Sequence, residues 1–262
     1  MVTYGICLLT LAPVRKNPDD RSEMVNQLLF GDFVDIKDAV DGWYLIESID
    51  DRYEGWVDTK QIQNVSEDSY NQLLYSKRYF TNDLLNECKL LHNNDSLLHL
   101  VLGSQLHNVK DGKFIIEDHH FKYSGNYIAA DHPKKEIIKA TALKYLNAPY
   151  VWGGRSPFGI DCSGFVQMVY KLSGIFLNRD ASQQAKQGEL VNFISEAKLG
   201  DLAFFENEEG NIVHVGMLLN TEHIIHASGK VKIESIDHNG IYDDQAKKYT
   251  HKLRLIKRIF EE

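Results

Sequence analysis

Cysteine is scarce in this chain of 262 residues, with three copies at positions 7, 88 and 162. They show neither metal-ligand spacing nor that of a disulfide framework, and an odd count suits a reducing compartment. Neither HExxH nor CxxC occurs, so no metal and no cofactor is expected. Basic residues form no block, and 29 Lys and Arg against 37 Asp and Glu give a formal net charge of −8. Nucleic acid and anionic membrane surfaces are therefore poor partners. Long apolar runs are missing too. Ile6-Cys7-Leu8-Leu9-Thr10-Leu11-Ala12 lacks a basic flank before it and runs into Pro13. It falls far short of the roughly 18 residues needed to span a bilayer and reads as a first strand. The expected localisation is cytosolic, or periplasmic or secreted if a signal has been trimmed. Oligomeric state is not legible.

At 43% apolar content the chain can bury substantial cores, and its length suits more than one domain. The chemistry concentrates around Cys162. Phe165, Val166, Met168, Val169 and Leu172 recur at helical spacing and Gly174 closes the run, which predicts a helix over 162–173. Asp161 is a good N-cap, leaving Cys162 in the first turn, where orphan N–H groups and the positive dipole end favour a thiolate. A buried structural cysteine would fit the helix alone equally well.

Two histidines shift that balance. Ile212-Val213-His214-Val215-Gly216-Met217-Leu218 and His223-Ile224-Ile225-His226-Ala227-Ser228 are β-runs with Asn220 midway between them. A hairpin centred on Asn220 pairs His214 directly with His226 on one face, with Cβ atoms about 4.5–5.5 Å apart. Cys162, His214 and His226 then read as a nucleophile, its base and the residue that orients the base. A slip of one residue would put the rings on opposite faces.

With these residues in place, 134–258 resembles the NlpC/P60 family of papain-like cysteine peptidases. The matching motifs are Ala148-Pro149-Tyr150-Val151-Trp152-Gly153-Gly154, Asp161-Cys162-Ser163-Gly164, Gly200-Asp201-Leu202-Ala203-Phe204-Phe205, Val213-His214-Val215-Gly216 and Ile225-His226-Ala227-Ser228, in the family's order. The resemblance implies an α+β fold with the nucleophile's helix packed on an antiparallel sheet, and hydrolysis of bacterial cell-wall peptides.

The first half reads as a diverged repeat. Leu29-Phe30-Gly31-Asp32-Phe33-Val34 is echoed by Val101-Leu102-Gly103-Ser104-Gln105-Leu106, and Asp41-Gly42-Trp43-Tyr44-Leu45-Ile46 by Asp111-Gly112-Lys113-Phe114-Ile115-Ile116. Tyr53-Glu54-Gly55-Trp56-Val57 is echoed by Tyr123-Ser124-Gly125-Asn126-Tyr127-Ile128. An offset of about 70 residues with Gly turns between short β-runs predicts two small β-barrels. They resemble tandem bacterial SH3 domains, joined by a helix near 67–77. The expected domains are 1–65, 66–130 and 131–262, with Asp131-His132-Pro133 starting the helix that leads into the last.

This layout is similar to the γ-D-glutamyl-L-diamino acid endopeptidases of the YkfC type (dipeptidyl-peptidase VI). The likeness rests on Pro13-Val14-Arg15, Arg21-Ser22-Glu23-Met24 and Gln27-Leu28-Leu29-Phe30-Gly31. It implies a murein peptide substrate, L-Ala-γ-D-Glu-diamino acid, whose free N-terminal ammonium meets the carboxylate of Glu23 with Tyr53 as hydrogen-bond partner. Tyr150 would help hold the oxyanion, with aromatic packing beside Trp152 as its alternative. Asp161 and Ser163 would contact the substrate amine and backbone. Arg179-Asp180-Ala181-Ser182-Gln183-Gln184 matches a segment lining the cleft. There Asp180 keeps the family residue, and Ala181 replaces a common Ser.

Other classes compete less well. A Cys-His₂ zinc hydrolase lacks a nearby carboxylate. Ser195-Glu196-Ala197-Lys198 matches S-x-x-K without its companion motifs. A less selective wall endopeptidase or lysin, an acyltransferase and a non-catalytic wall-fragment binder remain as alternatives.

Overall fold

The computed structural model describes residues 3–91, 96–129 and 134–261. The Asp131-His132-Pro133 helix start lies outside them. The chain divides into two compact units, Met1–Ala130 with Gly153–Pro157, and Asp131–Trp152 with Phe158–Glu262.

The first unit is built from one strand pattern used twice. Strands β1 (Thr3–Ile6), β2 (Leu11–Arg15), β3 (Met24–Leu29), β4 (Phe33–Val40), β5 (Trp43–Ser48), β6 (Glu54–Asp58) and β7 (Gln63–Val65) form a sheet of order β3-β2-β6-β5-β4-β1-β7. Helix α1 (Glu67–Leu74), capped by the Ser66 side chain on the Ser69 N–H, leads to the second copy. Its strands are β8 (Arg78–Thr81), β9 (Leu85–Leu91), β10 (Leu97–Val101), β11 (Gln105–His107), β12 (Lys113–Ile116), β13 (His119–Tyr123) and β14 (Tyr127–Ala129). Their orders, β10-β9-β13-β12 and β11-β8-β14, reproduce the first sheet, except that it divides between β12 and β11.

The repeat read from sequence is therefore a repeat of topology. Asp41-Gly42 and Asp111-Gly112 both turn with positive φ (47° and 86°, 51° and 74°), the type I′ geometry that suits tight hairpins. The third echo needs correction. β6 has β13 as its counterpart, whereas Tyr123–Ile128 spans the end of β13 and the start of β14. The cause is a shorter connection. β12 returns into β13 through Glu117 (φ 51°) and Asp118, while β5 reaches β6 through the longer Ile49–Tyr53 loop.

The two copies share one core. Phe30 and Phe33 of the first pack with Tyr70 and Leu73 of α1 and with Phe114 and Phe121 of the second. Phe30 meets Phe121 edge-to-face at 5.3 Å. Buried His107 lies 3.1 Å from the Gly31 carbonyl and 3.3 Å from that of Leu73. The boundary expected at 65/66 thus runs through a joint hydrophobic cluster. Gly153–Pro157, which includes β15 (Arg155–Ser156), also groups with this unit rather than with 131–262. Buried Arg155 donates to Asp32 Oδ2 (3.3 Å) and to the Gln27 carbonyl (2.9 Å).

The second unit places one buried helix on an antiparallel sheet. Helix α2 (Lys135–Lys144) is followed by β16 (Gly159–Ile160), α3 (Cys162–Lys171), α4 (Ala181–Gln184) and strands β17 (Glu189–Val191), β18 (Leu202–Glu206), β19 (Ile212–Leu218), β20 (His223–Ser228), β21 (Lys230–Asp237), β22 (Gly240–Asp243) and β23 (Lys248–Arg258). The sheet order is β17-β23-β18-β19-β20-β21-β22, and β22 also pairs β23. Every residue of α3 is buried. The helix packs on β19 and β20. Gly174 (φ 79°) stops it, as the Ile175 and Gly174 N–H groups donate to the Tyr170 and Lys171 carbonyls.

Candidate active site

Cys162 is the first residue of α3. Asp161 caps the helix as the sequence predicts, its Oδ1 accepting from the Gly164 N–H at 2.7 Å. The backbone N–H groups of Val215 and Ser163 hydrogen-bond the sulfur, so the thiol lies against β19 beside the residue that follows His214.

Its electrostatics differ from the expectation. Burial pushes the Cys162 thiol up to about 12, with the Asp161 charge adding to the rise, and the two N–H groups and Arg179 only partly oppose this. Burial, then His226, His251 and Lys232, holds His214 well below its ordinary value. Both shifts favour the neutral thiol and the neutral imidazole over an ion pair. The helix start and its N–H groups thus work against the burial of the thiol, a depth that the sequence does not show.

The histidine register is also corrected. β19 and β20 pair Met217 with Ile225 and Leu218 with Ile224. Continued, that register sets His226 beside Gly216 rather than His214. A Cβ at Gly216 would lie 2.8 Å from the His226 Cβ and 2.7 Å from Ile224 Cδ1, so only glycine leaves room there. Because the displacement keeps strand parity, both rings stay on one face as a diagonal pair. His214 Nε2 and His226 Nδ1 are 2.8 Å apart.

Residues the sequence reading passed over complete the cluster. Glu234 on β21 places Oε2 2.7 Å from His226 Nε2, and its Oε1 is 2.9 Å from Lys232 Nζ. His251 on β23 stacks on His214 with centroids 4.3 Å apart. Glu234 comes from β21, the hairpin partner of β20, and His251 from β23, which the sheet order sets beyond β18. The available signal was the alternating run Val231-Lys232-Ile233-Glu234, which follows His226 closely and sets Lys232 and Glu234 on one face. Among the described residues no group of three or more His, Cys, Asp or Glu is arranged to hold a metal ion.

Arg179 was read only as part of a matching segment, yet it organises the nucleophile's flank. Its guanidinium forks onto both carboxylate oxygens of Asp161 and donates to Ser163 Oγ at 2.9 Å, all three residues being buried. Asp180 caps α4 through a capping box, and Ala181 is buried behind it. Gln184 of α4 donates to the Ser163 carbonyl at 3.0 Å. Tyr150 is half-buried, and its hydroxyl is pushed up by burial and then by Cys162 and Asp161, which places it near both.

The structure thus gathers Cys162, His214, His226, Tyr150, Asp161, Ser163, Asp180 and Ala181 in the second unit. Glu23 and Tyr53 belong to the first. There Glu23 pairs with Lys16 at 3.3 Å on the surface, and the Tyr53 carbonyl accepts from the Ser48 N–H.

Comparison with known proteins agrees with this architecture. The NlpC/P60 family matches residues 147–251, and the bacterial dipeptidyl-peptidase SH3 domain matches residues 14–62. The chain is 28% identical over 261 residues to Dipeptidyl-peptidase 6 of Lysinibacillus sphaericus, covering 89% of this chain and 92% of that protein. It is 44% identical over 94 residues to the Gamma-D-glutamyl-L-lysine dipeptidyl-peptidase of Bacillus subtilis (strain 168), covering 35% of this chain and only 31% of that protein. The crystal structure of an NlpC/P60 family protein from Bacillus cereus ATCC 10987 superposes with a TM-score of 0.82, covering 98% of this chain and 99% of that one. At 18% identity that likeness establishes the fold. The chain therefore carries an NlpC/P60 domain over residues 147–251, preceded by a bacterial SH3 domain over residues 14–62.

Proposed function

We propose that this protein is a cysteine endopeptidase that hydrolyses the γ-D-Glu–diamino acid bond of murein peptides carrying a free N-terminal L-Ala. The observation that carries the chemistry is the 2.8 Å contact between His214 and His226 beside a thiol at a helix start. Relatives named for dipeptidyl-peptidase and γ-D-glutamyl-L-lysine dipeptidyl-peptidase activity support the substrate class.

Cys162 is the nucleophile in this reading, and His214 is its base. With Nε2 engaged by His226, His214 keeps Nδ1 for the thiol. His214 takes the thiol proton as sulfur attacks the γ-carbonyl. The tetrahedral oxyanion is held by the Cys162 N–H with help from the Tyr150 hydroxyl. His214 then gives the proton to the leaving amine of the diamino acid. Water, deprotonated by His214, hydrolyses the thioester and releases L-Ala-D-Glu. His226 orients His214 throughout.

The substrate contacts rest on sequence resemblance. Glu23 and Tyr53, inside the 14–62 match, are assigned to the substrate ammonium. Asp161, Ser163, Asp180 and Ala181 are assigned to the peptide, with Ala181 contributing backbone only. The role suits recycling of short murein fragments in the cytosol, and the three free, buried thiols agree with a reducing compartment.

The test is incubation with L-Ala-γ-D-Glu-diamino acid and with its N-acetylated form. Release of L-Ala-D-Glu from the free-amine peptide alone supports the reading. Equal turnover of both removes the role of Glu23, and turnover by Cys162→Ala removes the mechanism.

A further inference from the structure

We propose that Glu234 is a positioning residue that fixes which nitrogens of His226 and His214 carry hydrogen, and so leaves the base nitrogen of His214 bare. This rests on the reading of Cys162 and His214 as nucleophile and base.

An ionised carboxylate only accepts, so His226 Nε2, 2.7 Å from Glu234 Oε2, must carry its hydrogen. Burial keeps the His226 ring below its ordinary value even though Glu234 raises it. A neutral ring with hydrogen on Nε2 has a bare Nδ1. That Nδ1 lies 2.8 Å from His214 Nε2 and can only accept there. His214 therefore carries its hydrogen on Nε2, and Nδ1 keeps the lone pair. The reverse arrangement would set a ring lone pair against a carboxylate oxygen at 2.7 Å.

The strands aim Glu234 for this task. β20 and β21 pair His226 with Lys232 and Ile224 with Glu234, so Glu234 is the diagonal neighbour of His226 on the same face. Lys232 pins Oε1 at 2.9 Å, which turns Oε2 towards the ring. Burial raises the Glu234 carboxyl, but the bonds from His226 and Lys232 outweigh it and hold the group at about 2. The side chain is only 12% exposed. The groups facing it are His226 from β20, Lys232 from its own strand and His251 from β23. Tyr242 and Asp243 from β22, with Asp244 just beyond it, line the same recess. A pair of histidines alone has no such preference, because either ring could donate to the other.

The test uses the full chain with ¹⁵N-histidine and compares the wild type with Glu234→Leu and Glu234→Gln. The wild type is expected to show His214 and His226 both protonated on Nε2. Glu234→Gln, which keeps a carbonyl acceptor, is expected to retain that pattern and to rescue turnover to within a few-fold. Glu234→Leu is expected to lose the pattern, with kcat falling roughly 10- to 100-fold at unchanged KM. Alkylation of Cys162 by iodoacetamide at pH 8 should fall by the same factor. Wild-type tautomers and alkylation rate in Glu234→Leu overturn the inference. If Glu234→Leu does not fold, Nδ1 protonation of His226 in the wild type overturns it equally. Alkylation reads the site without the peptide, so an inactive wild type whose alkylation still follows Glu234 sinks the proposed substrate and not this inference.

Discussion

His214 Nε2 and His226 Nδ1 lie 2.8 Å apart on neighbouring strands, one ring diagonal to the other. Such a bond holds the base in one orientation, and its loss leaves the ring free to turn. His226→Ala is expected to lower kcat by about 10²- to 10⁴-fold, as removal of an orienting partner does in other triads. His226→Asn, which can still accept from His214, should retain more. Steady-state kinetics on the free-amine peptide measures this, and a His226→Ala enzyme within three-fold of wild type would remove the orienting role.

Thiol reactivity gives a second expectation. Burial holds the Cys162 thiol at about 12 and His214 below its ordinary value. Without substrate, the iodoacetamide rate at Cys162 should therefore keep rising through pH 8 to 10 with no plateau near pH 7. A plateau below pH 7 would show a preformed thiolate and refute the neutral resting state.

Arg179 gives a stability prediction. Its fork on buried Asp161 is a buried ion pair, and truncating one partner strands the other charge. Arg179→Ala should cost about 3–5 kcal/mol in urea unfolding. Arg179→Lys should recover only part of this, because an ammonium cannot span both oxygens and Ser163. A Lys variant as stable as wild type would contradict the fork.

The pH dependence of stability follows from His107. Burial holds it at about 4 in the fold, although the Gly31 and Leu73 carbonyls push the other way. The unfolded chain takes up the proton first, near 6.5. Stability is therefore full above about pH 6.5, falls as the pH drops towards 4, and levels off below. The loss from this one residue is about 2 kcal/mol at pH 5. Urea midpoints at pH 7 and pH 5 check it, with His107→Phe expected to show a smaller fall. Equal midpoints in the wild type would refute it.

Local signals were legible where a residue and its partners lie close in the chain. Asp161 as cap, Cys162 in the first turn and Gly174 at the stop were readable from a dozen residues. So was the shared face of His214 and His226, since alternation survives an even displacement. Their register was not, because nothing in the turn shows that Gly216 and not His214 must face His226. His251 reaches the site only through the lateral order of the sheet, whereas Glu234 needs the register of the β20–β21 hairpin, which the sequence does not fix. A helix dipole can be read from an N-cap, but the desolvation of Cys162 depends on α3 being covered on all sides. In the first unit, Asp-Gly at both type I′ turns revealed the repeat, and a shortened hairpin at Glu117 hid where its third echo falls.

The joint cluster of Phe30, Phe33, Tyr70, Leu73, Phe114 and Phe121 means that the duplicated modules are no longer interchangeable beads. Excising the second copy would turn Phe30 and Phe33 out to water and strand one side of α1. The repeat survives in the path of the chain, while the shared cluster ties the order of each copy to that of the other.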